Sequence, residues 1–226
     1  MRTVALVGAD GAGKSSIARA VAHRLGSRAR YLYMGVNLEQ STMMLPTTRL
    51  AMAIKRARGG RPRMPADWSG GAGAGSAGAG PGRWQLVREA YAGVRRVGWL
   101  AEEWYRALVA SVYRRRGHLV IFDRHFLFDY YGAGRDDRPG QLLAARLHAA
   151  LLRHFYPRPD LVICLDAPAD VLHERKGEGE VESLERRRQE YLALSEVSPE
   201  FAVVDATQPL PAVVDQVTSL VRARTA

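Results

Sequence analysis

The stretch Thr3-Val-Ala-Leu-Val-Gly8-Ala-Asp10-Gly-Ala-Gly13-Lys14-Ser15 decides how the rest of the chain is read. Gly8 to Ser15 matches the Walker A pattern in full, after an apolar run and before Ile17, Ala18, Val21, Ala22 and Leu25 at helical spacing. The prediction is strand, tight turn, helix. Glycines let successive backbone N–H groups turn inward around phosphate oxygens, and the helix N-terminus adds a favourable dipole. Lys14 is then expected to reach the β- and γ-phosphates of ATP or GTP, and Ser15 to offer its hydroxyl to Mg²⁺. The competing reading is a glycine turn that merely opens a helix. The complete context opposes it, as does the placement of Lys14, which shares the lysine role with only Lys55 and Lys176.

Outward from this motif, four further apolar runs read as strands: Arg30–Met34, Leu119–Phe122, Leu161–Leu165 and Phe201–Val204. Most are continuous rather than alternating, as for strands buried on both faces of a parallel sheet. Helical spacing lies between them. From Trp84 to Val112 it predicts one long helix or two meeting near Gly98; further helices are expected at Pro139–Phe155, Ser183–Leu194 and from Pro211 through Val221. The alternation argues for an α/β fold with crossover connections. Gly59–Gly82, rich in glycine and alanine, reads as a flexible insertion into a single domain spanning 1–226.

The 226 residues are 47% apolar, enough for a substantial core, and exclude a wholly disordered chain. The single Cys164 excludes an intramolecular disulfide framework and suits a reducing, cytoplasmic setting. Neither a secretory leader nor a membrane span is expected. Histidines and the cysteine show no zinc-ligand spacing. The net charge of +10 leaves nucleic acid, anionic lipid and phosphorylated small molecules open as partners.

In open α/β sheets ligands bind beyond the carboxyl ends of the strands, where Asp123, Asp166 and Asp205 fall. Leu119-Val-Ile-Phe-Asp123 has the form of a Walker B segment whose carboxylate holds Mg²⁺ or its water, and Arg124 is placed to pair with it or to clamp a phosphate. Asp166 reads as a turn cap. Asp205 reads as structural, although its loop through Gln208 borders the expected nucleotide base. His125, Phe126, Phe128, Tyr130 and Tyr131 offer either a base-stacking wall or core packing. Arg186–Arg188 read as a solvated helix face.

Together these pieces resemble the thymidylate kinase family of P-loop nucleoside monophosphate kinases. The resemblance rests on GADGAGKSS with its acidic Asp10, on Asp123-Arg124-His125, on Pro159 to Lys176, on Leu184–Leu194 and on Val204–Gln208. It implies a P-loop NTPase three-layer fold, a five-stranded parallel sheet wrapped by helices, with ATP and Mg²⁺ as donor and metal. Gly8, Asp10, Gly11, Ala12, Gly13, Lys14, Ser15 and Ser16 would form the donor site, with Asp10 near the acceptor's sugar or hydroxyl. Ser15 would serve the metal, and Asp123 would sit at the metal or acceptor end. Arg124 would hold the acceptor's phosphate. Arg175, opening a short lid at about 175–182, would face the donor base or the transferring group together with Lys176, and Asp205 would lie on the adenine side. A helix-mediated homodimer is also implied.

The chain departs from that family after the second strand, where Tyr33-Met34-Gly35-Val36-Asn37 replaces an Arg-Glu-Pro turn. The resemblance implies a nucleoside monophosphate as acceptor, and this departure keeps a non-nucleotide alcohol, sugar or aminocyclitol open as the alternative. A nucleic-acid-binding P-loop protein ranks last: Arg49–Arg63 holds six basic residues and no acidic one, but no nucleic-acid-reading motif.

Overall fold

The computed structural model describes residues 1–35, 41, 43–57, 83–126, 128, 156–177 and 180–225. Its strands are β1 (Thr3–Val7), β2 (Ala29–Tyr33), β3 (Leu119–Asp123), β4 (Leu161–Asp166) and β5 (Phe201–Asp205). Its helices are α1 (Lys14–Leu25), α2 (Pro46–Ala57), α3 (Arg83–Arg115), α4 (Ala169–Lys176), α5 (Val181–Leu192) and α6 (Leu210–Thr225).

The five strands form one all-parallel sheet in the order β2-β3-β1-β4-β5. This is the α/β P-loop NTPase architecture expected from the sequence. β1 is buried along its whole length because it has a neighbour on each edge and helices on each face. Its alternate side chains enter different cores. Val4 and Leu6 pack with Ile17 and Val21 of α1 and with Val213, Val217 and Val221 of α6. Ala5 and Val7 pack on the opposite face with Ala107 and Ala110 of α3, Phe122 and Phe126. Each large aliphatic side chain so buried contributes about 1.5–3 kcal/mol.

The strand readings hold to within one residue at each end. The aspartates expected just beyond β3, β4 and β5 are instead the last residues of those strands. α3 runs unbroken through Gly98, so one long helix replaces the alternative of two. α2 has no counterpart among the sequence expectations. The helix expected at Pro139–Phe155, the insertion at 59–82, Tyr130 and Tyr131 lie outside the described residues.

Candidate active site

The loop between β1 and α1 is shaped by glycines with little room for anything larger. Gly8 has φ +140°, and a Cβ there would stand 2.4 Å from the Leu165 carbonyl oxygen of β4. Gly11 has φ +94°, and its Cβ would stand 2.6 Å from the Leu172 carbonyl oxygen of α4. Left-handed Gly13 then launches α1, with Ile17 N–H donating to its carbonyl at 3.0 Å. Ser15 is half-buried and Ser16 exposed in the first turn.

Lys14 is 5% exposed and folds back over the loop. Its Nζ donates to the Gly8 and Ala9 carbonyls at 2.8 and 2.7 Å and lies 3.6 Å from Asp10 Oδ1. Asp10 is the hub of a larger cluster. Its Oδ1 accepts from Arg124 Nη2 at 2.7 Å and its Oδ2 from Lys176 Nζ at 3.2 Å. Burial alone would raise its pKa, but Arg124, Lys14 and Lys176 hold it well below the usual carboxylate range.

Arg124 reaches Asp10 through an uncommon backbone. Its φ of 68° is the one positive value outside glycine among the described residues. Such a conformation costs of order 1–3 kcal/mol and marks a position fixed by its surroundings. The Arg124 amide donates to Leu6 O at 3.1 Å, which pins the turn to β1. Gly35, just past β2, supplies the remaining space: a Cβ there would stand 2.6 Å from Arg124 Cδ and 2.5 Å from the Tyr33 hydroxyl. The carboxyl ends of β1, β2 and β3 thus meet around Arg124.

Asp123 is fully buried. Its Oδ2 accepts from the Tyr31 hydroxyl at 2.7 Å, and burial followed by this bond raises the Tyr31 pKa. Its Oδ1 has no hydrogen-bond partner. One unpaired buried carboxylate oxygen and the Ser15 hydroxyl fit a Mg²⁺ site, since Mg²⁺ keeps several waters and takes one or two protein oxygens together with phosphate.

The remaining expected residues divide. Arg175 Nη1 donates to Ala206 O at 2.8 Å and Nη2 to Thr207 O at 3.4 Å, so its guanidinium lies on the loop after β5 while neighbouring Lys176 goes to Asp10. In that loop Asp205 Oδ1 accepts from Thr207 N–H at 2.8 Å and from its hydroxyl at 2.6 Å, forming an Asx turn. Of the expected lid, 175–176 end α4, 178–179 lie outside the described residues, and α5 begins at Val181.

The readings of Asp166 and Arg188 are corrected, and the alternatives left open for the aromatics after β3 are resolved. Asp166 does not cap its turn but accepts a two-pronged grip from Arg188, which in turn is not a solvated surface group. His125, Phe126 and Phe128 are buried, and the His125 ring packs on Phe122, Phe128 and Tyr156. These three therefore form core rather than a base-stacking wall, and burial pushes the His125 pKa down to about 3.

Sequence reasoning missed Tyr31 on Asp123 and the buried Arg106 of α3, whose Nη1 donates to Gly35 O at 2.9 Å. Glu102 and Arg106 at helical i, i+4 spacing look like a surface ion pair, and nothing local to them signals their burial.

No protein-family model matches the chain. Among solved structures it is similar to a deoxyadenosine kinase from M. mycoides bound to dCTP, with a TM-score of 0.52 and 16% identity over 98% of this chain and 99% of that one. A second structure of deoxyadenosine kinase from M. mycoides, holding dCMP and a flexible dCDP, gives a TM-score of 0.51 at 16% identity over the same shares. The likeness spans nearly the full length of both chains and supports the fold described above.

Proposed function

We propose that the chain is an ATP- and Mg²⁺-dependent phosphotransferase that transfers the γ-phosphate to a small acceptor of the nucleoside or nucleoside monophosphate class. The observation that carries this reading is the P-loop cluster, in which Asp10 brings Lys14, Arg124 and Lys176 together at the carboxyl ends of β1 and β3. The deoxyadenosine kinases of similar fold support a nucleoside-type acceptor.

In this reading Lys14 exchanges the Gly8 and Ala9 carbonyls for donor phosphate oxygens, while the backbone N–H groups of Gly11 to Ser16 cradle the phosphates. Ser15 and Asp123 would hold Mg²⁺, which would neutralise charge on the donor phosphates. Arg124 faces the acceptor end and Asp10 orients an acceptor hydroxyl. Arg175 serves the donor-base side through the loop carrying Asp205, and Lys176 stands nearer the transferring group. Catalysis rests on positioning and on cations matched to the charge of a loose transition state.

The absence of any helix long and apolar enough to span a membrane, among the described residues, is compatible with a cytoplasmic protein. Val97, Trp104 and Leu108 on α3 form an exposed apolar stripe that suits a homodimer contact. The decisive experiment measures ADP release from ATP with nucleosides, nucleoside monophosphates and sugars. We expect stimulation by one of the first two classes and loss of at least about 10²-fold in Lys14→Ala. Substantial turnover in Lys14→Ala would overturn the mechanism, and stimulation by sugars alone would overturn the acceptor class.

A further inference from the structure

We infer that α2 is a docking helix for anionic phospholipid surfaces. Pro46, Leu50, Ala53, Ile54 and Ala57 fall within about 100° of one helix face, and all five are exposed. Leu50 is 63% and Ile54 45% exposed. An ordinary surface helix turns its apolar stripe towards the core; this one turns it towards water. The start of the helix is fixed to the body of the protein, because the Leu45 amide donates to Glu102 Oε1 of α3 at 2.9 Å. The stripe is therefore presented from a held position.

Charge selects the occupant. Exposed Arg49 and Arg56 lie along one edge of the stripe. In the sequence, six basic residues between positions 49 and 63 are accompanied by no acidic one. An apolar face with a cationic edge is the pattern of a helix that lies in a lipid headgroup layer, its aliphatic side chains inserted and its arginines on lipid phosphates. Nucleic acid would engage the arginines but leave Leu50 and Ile54 in water. A second copy docking symmetrically through the same face would set one cationic edge against another, with a repulsive result. The contrast with α3 is informative, since the exposed stripe of Val97, Trp104 and Leu108 has alanine, tyrosine and valine beside it and suits a protein contact instead.

The test is co-sedimentation of the full chain with phosphatidylcholine vesicles that contain or lack phosphatidylglycerol, at low and high salt. The expected result is binding only with phosphatidylglycerol, weakened by salt. Leu50→Glu with Ile54→Glu should reduce it at least tenfold, and Arg49→Gln by roughly fivefold. Phosphotransfer in solution and the melting temperature should be unchanged in all of these variants, which shows that they fold. Equal binding to both vesicles, or none, overturns the inference. So does retention of duplex DNA that survives the double glutamate variant, or a drop in oligomeric mass in that variant without vesicle binding by the wild type. Because lipid binding is read without ATP, its failure is separable from failure of the kinase reading.

Discussion

One guanidinium holds both oxygens of the Asp166 carboxylate: Arg188 Nε lies 2.7 Å from Oδ1 and Nη2 lies 2.9 Å from Oδ2. Asp166 ends β4, the strand against which Gly8 packs, and Arg188 sits in the second turn of α5. The fork therefore ties α5 to the strand that backs the loop between β1 and α1. Glu185 adds a further contact to the same guanidinium at 3.0 Å.

Removing this fork with Arg188→Ala should cost about 1 kcal/mol, since both groups are only partly buried. The melting temperature should fall by about 2–4 °C. Arg188→Lys should recover only part of that loss, because a point charge cannot make two parallel bonds. Thermal denaturation of the three proteins decides it, and an unchanged midpoint in the alanine variant would show the fork to be energetically idle.

Asp10→Asn tests the central carboxylate through its pH dependence. The folded-state pKa of Asp10 lies below its unfolded value, so its contribution to stability is complete above the unfolded value near about 4 and is lost as pH falls below it. The stability gap between wild type and Asp10→Asn should be constant above about pH 5 and narrow towards about pH 3. Denaturant titrations across that range give the answer. A gap that stays constant to low pH would mean that the three cations do not hold the carboxylate.

Arg175 and Lys176 are adjacent in sequence but point to different ends of the site, so their alanine variants should separate kinetically. Arg175→Ala loosens the loop at Ala206 and Thr207 and should raise KM for ATP by up to about tenfold with a smaller change in kcat. Lys176→Ala should lower kcat with little change in KM for ATP. Steady-state kinetics with the best acceptor would distinguish this from a shared role, in which both variants lose kcat alike.

Gly35→Ala introduces a methyl group where the Arg124 side chain and the Tyr33 hydroxyl already lie within 2.6 Å. Something must shift, and the freest partner is the Arg124 side chain. The variant should destabilise the protein by about 1–3 kcal/mol and weaken acceptor use more than donor binding. A nucleotide-binding titration beside acceptor kinetics tests this, and equal losses in both would point to general damage.

The sheet was legible in the sequence because strands buried on both faces become uninterrupted apolar runs, as in Leu161–Leu165. The P-loop was legible because its backbone geometry imposes glycines at fixed spacing. What escaped were contacts made at long sequence separation. Tyr31 and Asp123 are 92 residues apart, and Arg188 and Asp166 are 22 apart. In a string of residues each looks like an ordinary strand tyrosine or a surface arginine. α2 escaped for a related reason: periodicity is read as burial, and its apolar stripe is not buried.

The Asp10 cluster also has a consequence for how the site meets its first ligand. Three cations around one carboxylate leave only two net positive charges, held in place before any phosphate arrives. On the proposed function a donor polyphosphate would meet cations already partly neutralised by Asp10, and nucleotide affinity should respond to ionic strength more weakly than the count of basic side chains would suggest.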